Sequence, residues 1–301
     1  MRALLSTCFL AATLLASPEG RAKAAFQPLF SFGAGASLFA RPGIGADGAL
    51  YVGGGDGYVH ALAADGSFRW SYTVKGRVLS PPVEEAASGR VFVATSEARL
   101  YALESDAHLR WVFALPAQPK TELVLTPKGT LFFVGQDDHL YGVTTGGALT
   151  LRLAAPASRS APVALEGGLL GVVLGDQLAT LNGYGYARAP LAVAFGSSAK
   201  LELGAKRAIF ACDEARARVV DRGGSELDTA SDCLSPPVRG DGFHAIAEAS
   251  GAVRLVFADG TVDSISLGTP PLRPVWDAAR RRLILSTATG AVTVLELEGD
   301  R

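Results

Sequence analysis

Carboxylates recurring along the 301-residue chain are its first candidates for chemistry. Asp56, Glu97, Asp137 with Asp138, Asp176, Asp213 with Glu214, and Glu248 each lie in a short polar stretch between two apolar segments. Gathered on one face, they could attract a cationic partner or a divalent ion, or work as acid and base. An Asp beside Gly in a tight hairpin instead hydrogen-bonds its own backbone, and each residue singly is read that way. The set is read as an acidic, partner-binding face. The four histidines, His60, His108, His139 and His244, show no ligand pair at metal spacing, so no metal site is expected. A Gly-x-Ser-x-Gly elbow is missing, and residues 53–57 (GGGDG) join two strands and open no helix. No catalytic residue and no cofactor is assigned.

The elements that must hold these residues follow from a repeat. Leu62, Leu103, Val143, Leu181, Val220, Val256 and Leu295 each precede a turn of Asp-Gly or Gly-Gly type or a variant of it, at spacings of 41, 40, 38, 39, 36 and 39 residues. Upstream of each anchor the apolar residues alternate with period two, which predicts a strand. A second apolar strand precedes that one, a short segment often introduced by proline precedes both, and an outer strand follows the turn. Four strands per unit with no helix between units predict a β-propeller, because such a unit cannot cover its own faces and must stack on its neighbours. Glycine (35 residues) and proline (16) suit that many hairpins. The last unit lacks an outer strand. Residues 27–37 align with residues 68–80, so the N-terminal strand is expected to join the last blade and close an all-β ring of seven four-stranded antiparallel blades.

Arg2, the apolar residues 3–16 and the small residues Ala22 and Ala24 predict an export signal over residues 1–24, with residues 25–301 as a single propeller domain. Fourteen apolar residues are too few to span a membrane, and no longer run exists, so no transmembrane segment is expected. Cys8 follows Ser6 and Thr7, where lipid attachment wants Gly, Ala or Ser immediately before the cysteine, so lipidation is not expected. Losing Arg2, Glu19, Arg21 and Lys23 takes the net charge from −1 to −3. Without a basic stripe, nucleic-acid binding is excluded. Cys212 and Cys233 remain in an oxidising compartment, either bridged or as two buried thiols. Both fall at the same end of adjacent units, which favours the bridge, and its loop of about twenty residues would contribute on the order of 3 kcal/mol.

Residues 51–62 (YVGGGDGYVHAL) with Asp65, Gly66 and Trp70, and residues 99–103 (RLYAL) with Asp106 and Trp111, resemble the quinoprotein-like (PQQ-like) propeller repeat. Residues 139–143 (HLYGV) continue the pattern. The resemblance implies that Trp70 and Trp111 dock neighbouring blades. It also implies one of two functional classes. Quinone-dependent dehydrogenases of the family hold their cofactor with adjacent cysteines and a calcium, and this chain has no Cys-Cys pair. The other class is similar to BamB-type outer-membrane assembly factors, which bind proteins. The expectation is therefore a non-catalytic scaffold in the periplasm or outside the cell, monomeric, with envelope or secreted proteins as partners. The alternative is a small quinone- or metal-dependent oxidoreductase, or a propeller hydrolase or lyase using carboxylates at the channel.

Overall fold

The computed structural model describes residues 26–298, except 157, 159–160, 166–168, 175–176, 182–186, 192–199, 204–208, 214–215, 221–225, 231–234 and 236. Among the described residues there are strands and turns but no helix, and the strands form seven four-stranded antiparallel sheets. Sheet I comprises Gly43–Ile44, Leu50–Gly53, Tyr58–Leu62 and Phe68–Thr73; sheet II, Val83–Glu85, Arg90–Thr95, Arg99–Leu103 and Leu109–Ala114. Sheet III comprises Val124–Leu125, Thr130–Val134, His139–Thr144 and Leu149–Ala154; sheet IV, Val163–Leu165, Leu169–Leu174, Gln177–Leu181 and Ala187–Leu191. Sheet V comprises Lys200–Leu203, Ile209–Asp213, Arg216–Val220 and Glu226–Ala230; sheet VI, Val238–Arg239, Phe243–Ala247, Ala252–Phe257 and Val262–Ser266. Sheet VII takes Val275–Asp277, Arg282–Ser286 and Ala291–Leu297 from the end of the chain and Phe26–Gly33 from its beginning.

Period-two alternation decides burial. In the fourth strands of sheets I to III every second residue is exposed, whereas the second strands are buried on both faces. A strand buried on both faces needs a neighbour on each side, and the cores supply it. Tyr51 and Val59 pack with Val91 and Val93 between sheets I and II. Phe92 and Leu100 pack with Leu131 and Phe133 between sheets II and III, and Phe132 and Leu140 with Leu170 and Val172 between III and IV. Phe243 and Ala245 pack with Leu283 and Leu295 between VI and VII, and Ile284 and Val292 with Leu50 and Val52 between VII and I. A fully buried Phe or Leu contributes about 2 kcal/mol, so these inter-sheet cores dominate the fold energetically.

First strands of sheets I to IV lie in contact in succession, as do those of sheets VI and VII, and the fourth strands of sheets I to III are the more exposed ones. At the centre the backbones come close: a Cβ on Gly43 would lie 1.9 Å from the Pro82 carbonyl oxygen, so only glycine fits there. The N-terminal strand pairs antiparallel with the last strand from Phe26 opposite Leu297 to Gly33 opposite Ala291, with a bulge between Pro28 and Phe30. The bulge recurs between third and fourth strands at Ala61/Leu62, Ala102/Leu103 and Gly142/Val143. The strand taken from the chain's beginning thus has the local geometry of an ordinary fourth strand.

Candidate functional site

Turns between second and third strands hold most of the sequence-predicted carboxylates, and their hydrogen bonds define a common frame. Gly54, Gly135, Glu248 and Thr287 donate their N–H to Tyr58, His139, Ala252 and Ala291 respectively, closing each turn. Three residues after the first of these stands a residue in the left-handed region: Gly57, Asp138, Gly251 and Gly290, with Ala98 filling the place in sheet II. Its carbonyl accepts from the residue just beyond the fourth strand, namely Val74, Leu115, Ala155 and Leu267, or Ala34 after the N-terminal strand.

Within this frame Asp56, Glu97 and Asp137 occupy one equivalent position, matched by Ser250 and Thr289 in sheets VI and VII. Asp138 sits one residue later, in the left-handed place that Gly57 fills in sheet I. Glu248 is not equivalent to Asp56. It stands at the turn-closing position of Gly54, is buried, and pairs with Arg254 at 2.6 Å. Asp176 and Glu214 lie outside the described residues. Asp213 ends the second strand of sheet V.

The carboxylates on this face are accompanied by cations. Asp56 Oδ1 accepts from the Tyr58 N–H at 3.1 Å, the expected turn bond. Lys120 Nζ donates to Asp138 at 2.5 Å, and Arg152 lies 3.8 Å from Asp137, which also accepts the Tyr141 hydroxyl at 2.6 Å. Burial and the Asp137 hydrogen bond both push the Tyr141 hydroxyl pKa up, so it stays a neutral donor. Beside the sheet I turn, Phe39 and Tyr58 are 46% and 42% exposed, and the Arg77 guanidinium lies 5.0 Å from the Phe39 ring centroid. The face carries both signs of charge and two exposed aromatic rings.

At the centre, ahead of the first strands, lies a group that the sequence reading did not single out. Arg41 donates Nε to both Glu122 carboxylate oxygens at 3.1 and 3.2 Å, and Nη2 to Oε2 at 2.8 Å, a fork-on-carboxylate pair. Arg41 leads into sheet I and Glu122 into sheet III, so the pair passes over the start of sheet II, where Leu123 N–H donates to Ser80 Oγ at 3.2 Å. Arg273, leading into sheet VII, is close enough to act on both partners. Burial pulls the Glu122 pKa up, but Arg41 and Arg273 outweigh it and hold the carboxyl below its ordinary value. Burial and then Arg41 bring Arg273 down to about 10, against the opposing pull of Glu122.

The two tryptophans join sheets. Trp70 Nε1 donates to the Ser105 carbonyl at 2.9 Å, and Trp111 Nε1 to the Thr145 carbonyl at 3.3 Å, each reaching the third-to-fourth-strand turn of the next sheet. On the same end Glu84 of sheet II accepts from the Ala46 N–H and the Tyr51 hydroxyl of sheet I, and Arg280 of sheet VII donates to the Ala46 carbonyl. Cys212 lies in the second strand of sheet V, and Cys233 falls outside the described residues. Among the described residues, no three of His, Cys, Asp and Glu gather as a metal would require, and no helix is long and apolar enough to cross a membrane.

Residues 22–154 match the family model described as outer membrane protein assembly factor BamB. Among solved structures, the chain is similar to BamB from Moraxella catarrhalis, at 18% identity and a TM-score of 0.63, over 88% of this chain and 87% of that one. That likeness shows a β-propeller fold. No curated protein matches the chain. The repeats of residues 22–154 are thus similar to those of the PQQ-like, BamB-like family, and the fold of the chain agrees with that likeness.

Proposed function

We propose that the chain is an exported, non-catalytic seven-bladed β-propeller that binds other proteins in the cell envelope, in the periplasm or after secretion. Residues 1–24 act as the export signal and residues 25–301 form one ring, closed by the N-terminal strand and monomeric. The seven sheets, and the core that sheet VII shares with sheet I, support the ring. The family model's description, an outer-membrane assembly factor, supports an envelope role through protein contacts. Cys212 and Cys233 form a disulfide in this reading, and alkylation of the exported protein without reductant should then find no free thiol.

One observation carries the binding role. Phe39 and Tyr58 are exposed beside Asp56 and Arg77 at the end where the second-to-third-strand turns emerge. Aromatic rings and arginine among polar neighbours are the composition of protein-interface hot spots. Asp56, Glu97 and Asp137 supply the acidic part of the face, with Asp138, Asp176, Glu214 and Glu248 assigned to it as well; Glu248 contributes by fixing its turn. Envelope extract passed over the immobilised protein tests the reading. Phe39→Ala with Tyr58→Ala, or lysine at Asp56, Glu97 and Asp137, should remove the partners retained by the unaltered protein. Undiminished retention by both variants would overturn the assignment of this face.

A further inference from the structure

Third strands run from the end that carries Phe39 and Tyr58 to the opposite end, where the third-to-fourth-strand turns emerge. There three successive sheets expose an apolar side chain at one register position. Phe68, Leu109 and Leu149 open the fourth strands of sheets I, II and III, opposite the anchors Leu62, Leu103 and Val143. They are 60%, 45% and 44% exposed. Trp70 and Trp111, each two residues further on, donate to the turn of the next sheet at Ser105 and Thr145, which ties the three places into one row. Sheet VI exposes Val262 at the same position, but the equivalent residues are Glu226 in sheet V and Pro28 in sheet VII, so Val262 has no apolar counterpart in either adjoining sheet. A single exposed apolar side chain is ordinary, whereas a row across adjoining units marks a contact surface.

We propose that the row of Phe68, Leu109 and Leu149, flanked by Asp65 and Asp106, is a second docking surface, and that its occupant is a basic, apolar polypeptide segment. Charge complementarity names the occupant. Asp65 and Asp106 stand three residues before Phe68 and Leu109, both exposed, with Gly146 in that place in sheet III. The Ser67 N–H and hydroxyl donate to Asp65 at 2.9 and 2.7 Å, and the His108 N–H to Asp106 at 3.2 Å. Hydrogen bonds from Ser67 and from His108 hold both carboxyls below their ordinary value, so both are ionised at neutral pH. The neighbouring arginines are engaged elsewhere, Arg69 with Asp47 at 2.6 Å and Arg110 with Glu104 at 3.1 Å. Two negative charges therefore border the apolar row, and lysine or arginine beside apolar side chains would meet both features at once. An anionic lipid surface would be repelled by the carboxylates, and a second copy of this chain would set the same carboxylates against them. The indole bonds fix the row in advance, which reduces the freedom lost on docking.

The test is fluorescence anisotropy of a labelled peptide alternating lysine and leucine, titrated with the purified protein, with a peptide alternating glutamate and leucine as the comparison. Saturable binding of the lysine peptide is expected, weakening as salt is raised. Phe68→Ser with Leu109→Ser should weaken it about tenfold, and Asp65→Asn with Asp106→Asn about threefold. Val262→Ser should leave it unchanged. These side chains are exposed, so each variant should keep the urea midpoint of the unaltered protein. Absence of saturable binding, equal binding of the two peptides, or undiminished binding by the Phe68 and Leu109 variant would overturn the proposal. Dimerisation, or uptake by phosphatidylglycerol vesicles, that this variant abolishes while the lysine peptide fails to bind would assign the row to a second copy or to lipid, and overturn it too. No residue of the Phe39 and Tyr58 face is altered, so the outcome is separate from that of the scaffold reading.

Discussion

Ala107 shows what one residue does to a repeated turn. Gly66, Gly147 and Gly260 take φ values of +87°, +87° and +83° in the third-to-fourth-strand turns, and sheet II places Ala107 there at +70°. A Cβ in the left-handed region costs about 1 kcal/mol, so Ala107→Gly should raise the free energy of unfolding in urea by about that much, and a lowered midpoint would contradict the account. Titration is a second residue-scale effect. The pKa of Glu122 is lowered in the fold, so its stabilisation is complete above its unfolded value of about 4.5 and is lost as pH falls through the lower folded value. Burial lowers His60 and His244 from 6.5, so below that pH the unfolded chain takes up protons that these side chains resist, and the fold weakens. Denaturation midpoints should therefore decline in two stages on acidification, and Glu122→Gln should remove part of the later stage only. Turn residues were legible in the sequence because Asp-Gly chemistry is local. Arg41 and Glu122 were not, because their pairing spans 81 positions and emerges only when the first strands are put in register.

At the scale of elements, the alternation that marks strands is local too, and the repeat positions the second and third strands in every unit. The place of Glu248 was harder to read, since a carboxylate between two strands looks alike whether it faces water or closes the turn. Only the N–H bond to the Ala252 carbonyl puts it with Gly54. The N-terminal strand was recognisable from its likeness to residues 68–80, and its contacts make it indispensable. Phe26 is 8% exposed and meets Phe243 edge-on, with ring centroids 5.3 Å apart. Phe26→Ala should cost about 3 kcal/mol in chemical denaturation, the usual range for a core phenylalanine, whereas a loss near zero would mean that the strand is not docked in solution. Trp70→Phe keeps most of the ring and leaves the Ser105 carbonyl without its indole donor. A loss of about 1 kcal/mol is expected by the same assay, and no loss would remove the bond from the description of how sheets I and II are joined.

For the whole molecule, the cores between successive sheets make each sheet's stability depend on its neighbours. Destabilising substitutions in sheets I and VII should then act on one cooperative transition, as they would in a closed ring. Near-neutral net charge says little about the proposed binding face, where Lys120 and Arg152 sit by Asp138 and Asp137 and Arg77 lies over the Phe39 ring. What the face would recognise is therefore a surface of mixed charge with an apolar centre. The most direct measurement replaces Tyr58 with a photoreactive residue in the full-length protein made in cells, and Val262, 60% exposed on the fourth strand of sheet VI, as the control. Irradiation of intact cells should join a discrete envelope protein to position 58 and none to position 262. Adducts at neither position, or the same adducts at both, would contradict the assignment of a protein-binding scaffold that works through this face.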